Sequence, residues 1–341
     1  DAYFREGDYV RALRNYRYSC VEQTASRLLA NALTLRMMRL SGRDDPQLRA
    51  DLNVQISQGL QRLYGQQLAD GGWGWWDFES NPLVSAYVIL SLIETRQAGY
   101  TVSESVLENG VDYLRYHLPL LGADRPHWEY NRQAFMVYVL ARADAPYPGR
   151  VTTLYTRRER LSNYALAYLA QAMALQDPDD SRIPTLMAEL QSAAVLSAAG
   201  AHWEENYEDY WNWNTDRRTT AIVLDAFVQI DPHNPTTANA VRWLVARRAA
   251  SWGSTQETAW TMTALVDWLE ASHEYEADYH YAVGLNGDLL EESQATSENL
   301  DELVQLEIDA GQMVTDGLNY LVVTRGEGAG NLYYTAYMSA E

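Results

Sequence analysis

The chain has 341 residues, 47% hydrophobic and 21% charged, with a formal net charge of −20, a length and composition that suit one large and one small globular domain. Such acidity excludes a nucleic-acid partner, because phosphate binding needs a basic footprint. No apolar run approaches the roughly 20 residues that span a bilayer, and the single cysteine excludes an internal disulfide.

In chain order, the sequence begins at Asp1 without a signal peptide, so it reads as a piece of something longer, with residues 1–18 a linker from a preceding domain. Ser19-Cys20-Val21-Glu22 has the form of a capping box and opens a long amphipathic stretch. Cys20 is expected in the first helical turn, where the positive end of the helix dipole lowers a thiol pKa. Gln23 lies three residues on, so the two side chains share a face with Cβ atoms roughly 5–6 Å apart. A sulfur in that place can displace ammonia from the glutamine amide and close an internal thioester, a stored acyl electrophile. The plain alternative is a small buried hydrophobe, which makes the chain a binding scaffold with an inert thiol.

Apolar residues recur at helical spacing over 23–40, 47–64, 83–98, 103–118, 130–143, 161–175, 182–198, 217–230, 236–249 and 255–271. Turn signals such as Pro146-Tyr147-Pro148-Gly149, Asp177-Pro178 and Asp231-Pro232 separate them. Paired antiparallel helices of this length predict a mainly α fold, an α/α toroid of about 10–12 helices. Tryptophans recur at the hairpin tops: Trp73, Trp75 and Trp76, then Trp128, then Trp203, Trp211 and Trp213, then Trp252. They read as packing at loop–helix junctions. The acidic runs Glu204 to Asp209 and Glu291 to Glu302 read as solvated loops. After Glu270 the period becomes alternating. Strands are expected over 279–285, 302–308, 318–325 and 331–338, with Asn286-Gly287 a type I′ hairpin turn. These make a small antiparallel β segment, incomplete by itself. The organisation read is therefore 1–18 linker, 19–272 helical domain and 273–341 β segment.

The stretch Tyr16-Arg17-Tyr18-Ser19-Cys20-Val21-Glu22-Gln23 resembles the thioester motif of bacterial alpha-2-macroglobulins and, more distantly, of complement thioester domains. It departs at Arg17 and Ser19, where the family tends to have Pro and Gly. Asp70 to Trp76, Asn81 to Tyr87, Ser254 to Trp260 and Asn331 to Tyr334 extend the likeness over nearly the whole chain. The resemblance implies that Cys20 and Gln23 form the thioester, that Tyr16 and Tyr18 shield it from water, and that Ser19 and Glu22 hold the turn. It implies a single-use protease trap rather than a turnover enzyme, one that acylates lysine amines of the attacking protease. The remaining macroglobulin domains would be its other partners, a CUB-like domain would own the β segment, whose first half is missing here, and the location would be periplasmic, extracellular or cell-envelope.

Two further patterns bear on the choice. Asp177-Pro178-Asp179-Asp180 matches the acid motif of class II terpene cyclases, toroidal enzymes that keep one carboxylic acid protonated in an apolar cavity. It lies in a Pro-bearing loop, where a helix stop and an N-cap are the expected roles. The six histidines are scattered, without zinc-ligand spacing, so neither metal nor cofactor is expected. His127 is the nearest counterpart of the histidine that redirects some complement thioesters toward hydroxyls, but its surroundings do not match. All 26 basic residues are arginine, so no ε-amine of the chain itself can attack the acyl group.

Overall fold

The computed structural model describes residues 20–42, 45–76, 78–120, 122, 125–247, 253–299, 304–332, 334 and 336. Among them are eleven α-helices: α1 (Val21–Leu40), α2 (Pro46–Gly65), α3 (Pro82–Gln97), α4 (Glu104–Tyr116), α5 (His127–Arg142), α6 (Pro148–Tyr155), α7 (Asn163–Gln176), α8 (Ile183–Ser192), α9 (Asp216–Ile230), α10 (Pro235–Ala246) and α11 (Thr255–Ser272). The expected mainly α class with a small antiparallel sheet is what is found. The chain forms two compact units, dividing between Trp268 and Leu269.

Odd- and even-numbered helices differ in sequence and in place. α3 is buried from Leu83 through Thr95 without a polar face, as a fully enclosed helix requires. By contrast α2 buries only Leu52, Ile56, Leu60 and Leu63, a single stripe turned to one neighbour. The odd helices pack on one another in the succession α1, α3, α5, α7, α9, and each even helix packs outside its odd predecessor. Gln229 of α9 donates to Asp267 of α11 (3.1 Å), and α11 meets α1 through Gln256–Glu22 (2.8 Å) and Arg36–Asp267 (2.5 Å). Those contacts close the six odd helices into an inner ring whose N-terminal ends gather on one side. Their C-terminal ends hold a buried charge cluster, Glu94 paired with Arg142 beside Asp225 and Asp267.

Local chemistry sets the helix starts. Asp45, Asn81 and Asn234 each cap with a side-chain oxygen and are followed by proline at the first helical position, where its missing N–H costs nothing. Two hairpins repeat one device. Trp73 and Trp203 are fully buried, and each indole donates to the last turn of the preceding outer helix, to Leu63 O and Leu190 O, both at 2.7 Å. Their backbone N–H groups donate to Ser85 and Thr220 on the next inner helix.

Several expected bounds change. Helix α6 (148–155) is not among the expected helices, because the turn signal at 146–149 overlaps its start; Pro148 occupies its first turn. The reach 182–198 ends at Ser192, and Val195–Ser197 (β1) pairs with Gly200–His202 (β2) instead. In the second unit, β3 (Asp278–Leu285) lies between β4 (Asp288–Thr296) and β5 (Leu321–Ala329), all antiparallel. Asn286 and Gly287 turn the hairpin with φ of 54° and 97°, as a type I′ turn requires. β4 takes in Glu291 and Glu292, expected in a solvated loop; none of its residues is buried, which suits an acidic edge strand. Residues 304–308, 331, 332, 334 and 336 are not strand, contrary to expectation.

Candidate functional site

Cys20 stands at the N-cap of α1, extended at φ −64° and ψ 168°, not inside the first turn, and among the described residues no side chain caps the helix. Its carbonyl accepts from the N–H and the hydroxyl of Thr24, both at 3.0 Å. The thiol is buried, and desolvation pushes its pKa up, with the Glu22 carboxylate adding to the rise. Backbone N–H groups of Gln23 and Glu22 and the charge of Arg27 pull the other way and do not win. The expected depressed thiol is thus reversed, because burial outweighs the helix end.

Gln23 follows in the first turn, and its Oε1 is buried with no hydrogen-bond partner among the described residues. An amide oxygen in that position costs about 1–3 kcal/mol, a penalty smaller for the weaker acceptor oxygen of a thioester. Ser19, the expected N-cap partner of Glu22, lies outside the described residues, and the N-cap observed is Cys20. Oε1 of Glu22 accepts from Ser26 Oγ, Thr255 Oγ1 and Gln256 Nε2, each at 2.8 Å, and Glu22 is 4% exposed. Three donors from two helices thus draw that carboxylate inward. Ser26 Oγ also meets Tyr87 OH at 2.9 Å, and burial holds that phenol neutral.

The loop after α2 leans on this end of α1: Val21 N–H points at Trp75 O at 3.4 Å. The Trp75 ring meets Trp213 edge-on at 5.1 Å, and Trp213 meets Tyr87 at 6.1 Å. Trp213 sits in the left-handed region at φ 56°, a costly place for a bulky residue, and there its ring stands between the other two. Ser26, Tyr87, Trp213, Thr255 and Gln256 were missed as site residues. Thr255 and Gln256 lie more than 230 positions from Glu22, beyond the reach of any local spacing rule. Tyr16, Tyr18 and Ser19 lie outside the described residues.

The competing patterns fall elsewhere. Asp180 pairs with Arg182 at 2.6 Å, which lowers its pKa, the opposite of a carboxyl kept protonated for cyclisation; Asp177 ends α7. His127 faces Arg160 O at 2.9 Å. Within the acidic run 204–209, Asp209 is buried and takes Asn131 (2.9 Å), Tyr164 (2.7 Å) and Asn212 (2.9 Å). Glu205 accepts the N–H groups of Asn163 and Tyr164 that open α7. These two are structural anchors, not solvated charge. Among the described residues no three His, Cys, Asp or Glu side chains come together as a metal site.

A family model described as "A-macroglobulin TED domain" matches residues 4–119. The alpha-2-macroglobulin of Thermotoga maritima is 28% identical over 283 residues, 79% of this chain and 15% of that protein. This chain is similar to proteins of the alpha-2-macroglobulin family. Among solved structures, native alpha-2-macroglobulin from Escherichia coli, spanning domain MG7 to the C-terminus, superposes with a TM-score of 0.62 at 19% identity, over 86% of this chain and 46% of that one. Salmonella alpha-2-macroglobulin reacted with methylamine gives 0.63 at 20% identity, over 86% and 19%. Both likenesses concern the fold. The chain spans about one seventh of the length of its Thermotoga relative. Its matched segment begins before the lone cysteine and ends just past α4, so it takes in the whole Cys20–Gln23 turn and the tryptophan loop against it.

Proposed function

We propose that this chain is the covalent-capture domain of an alpha-2-macroglobulin-like, broad-spectrum protease inhibitor. The observation that carries the reading is a buried Cys20 at the N-cap of α1, followed in the first turn by a glutamine whose side-chain oxygen is buried without a donor among the described residues. Closure forms a bond from Cys20 Sγ to Gln23 Cδ, breaks the amide C–N bond, and sends the thiol proton out with ammonia. In capture, an amine nitrogen of the target attacks Gln23 Cδ. The C–S bond breaks, an amide remains, and the thiolate takes up the amine's proton. Each molecule fires once.

Burial gives this electrophile its latency. A thiol whose pKa is raised is a poor leaving group while enclosed. Among the described residues the Gln23 oxygen has no donor to stabilise the oxyanion of attack, and one such donor is worth about 10²–10³ in rate. Exposure removes the desolvation, lets water or target donors reach that oxygen, and restores the thiolate as a leaving group. Tyr16 and Tyr18 keep water out beforehand in this reading. The remaining macroglobulin domains control exposure, the targets supply lysine amines, and the protein works in the periplasm, at the cell envelope or outside the cell.

The test is adduct formation. The intact protein is incubated with a lysine-bearing protease and resolved under denaturing, reducing conditions. A covalent band is expected, absent for Cys20→Ala and for protease with acetylated lysines. No band, or an equal band from Cys20→Ala, would refute the proposal.

A further inference from the structure

A buried carboxylate is costly unless paired and hydrogen-bonded. The Glu22 Oε1 takes three uncharged donors, and they tie three inner helices together: Ser26 from α1, Thr255 and Gln256 from α11, and through Ser26 the Tyr87 hydroxyl of α3. Gln256 is itself 4% exposed, and its own Oε1 is buried without a hydrogen-bond partner among the described residues. A glutamine that leaves one end orphaned so that the other can donate is placed for that donation. The residue next along α1 from this clasp is Gln23.

We infer that Thr255 and Gln256 are positioning residues for the Cys20–Gln23 bond: acting through Glu22, they hold the first turn of α1, and so the acyl-bearing side chain, where the thioester closes and survives. This rests on the thioester reading above. Helix ends are the first parts of a fold to open, and among the described residues no side chain caps the first turn of α1. Among those residues its restraint comes from α11, on one side, and from Trp75 O, on the other. Neither Thr255 nor Gln256 reacts. Their effect is to stop the turn from fraying, which would swing Gln23 away from Cys20 and admit water to the acyl carbon.

The experiment follows thiol release in the intact protein, with and without methylamine. Wild type should release little thiol spontaneously and one equivalent with methylamine. Thr255→Val and Gln256→Ala should raise spontaneous release by about tenfold or more, the factor for losing one hydrogen bond to a charged group, while the melting temperature reports that the fold persists. Thr255→Ser should match wild type. A packing role alone predicts the reverse order, because Val keeps the shape and Ser does not. Unchanged lifetimes in Thr255→Val and Gln256→Ala, or a faster loss in Thr255→Ser than in Thr255→Val, would overturn the inference. Should Gln256→Ala fail to fold, the Val/Ser pair decides. Wild type with no methylamine-releasable thiol sinks the thioester reading itself, a different result from any of these.

Discussion

Replacing Glu205 with glutamine should remove a pH dependence that the wild-type fold carries. Burial pushes this carboxyl up from an ordinary 4.5 to about 7, against the N–H groups of Tyr164 and Asn163 and the Thr219 hydroxyl that favour its charge. A raised acid binds its proton more tightly folded than unfolded, so stability falls as pH rises from about 4.5 to about 7 and stays lower above that. At about 1.4 kcal/mol per pKa unit, the shift amounts to about 3 kcal/mol at most, and solvent around a half-buried side chain reduces this. Glutamine mimics the protonated acid at every pH. Urea unfolding at pH 5 and pH 8 measures the difference. Glu205→Gln should gain about 1–3 kcal/mol on wild type between the two pH values, whatever its baseline cost. An equal offset at both pH values would refute the reasoning.

Other outcomes follow from the same packing. Trp203→Phe should cost about 2–4 kcal/mol in denaturant unfolding, from lost volume and an unpaired Leu190 carbonyl. Gly74→Ala should lower the melting temperature and shorten the thioester's lifetime, since a Cβ there would lie 1.8 Å from Glu79 O beside the loop that meets Val21. Arg142→Met, which strands the buried Glu94 charge, should cost about 3–5 kcal/mol, and adding Glu94→Leu should recover part of it.

How much of this was readable beforehand depended on range. The inner helix α3 announces itself because burial on all sides leaves no polar face, and Asn81-Pro82 marks its start by local chemistry, as Asn234-Pro235 marks that of the outer α10. Helix α6 was hidden because Pro148 both breaks a preceding segment and begins a following one. β4 was hidden because an edge strand with no buried residue needs no apolar alternation. At the site, the three-residue spacing of Cys20 and Gln23 was visible in the sequence, but the role of Glu22 was not. A capping box and a clasp to α11 use the same residue type, and only the closing of the ring brings Thr255 and Gln256 to it. The thiol's pKa went the wrong way for the same reason: the helix dipole is local and legible, whereas desolvation belongs to the assembled ring.

Intact mass of the undamaged protein, taken under denaturing conditions that spare acyl bonds, addresses the central chemistry most directly. The account predicts a mass short of the sequence by one ammonia, restored by methylamine addition with a free Cys20 thiol appearing, and no deficit in Cys20→Ala. A wild-type mass equal to the sequence, with Cys20 labelled at once on unfolding, would contradict it.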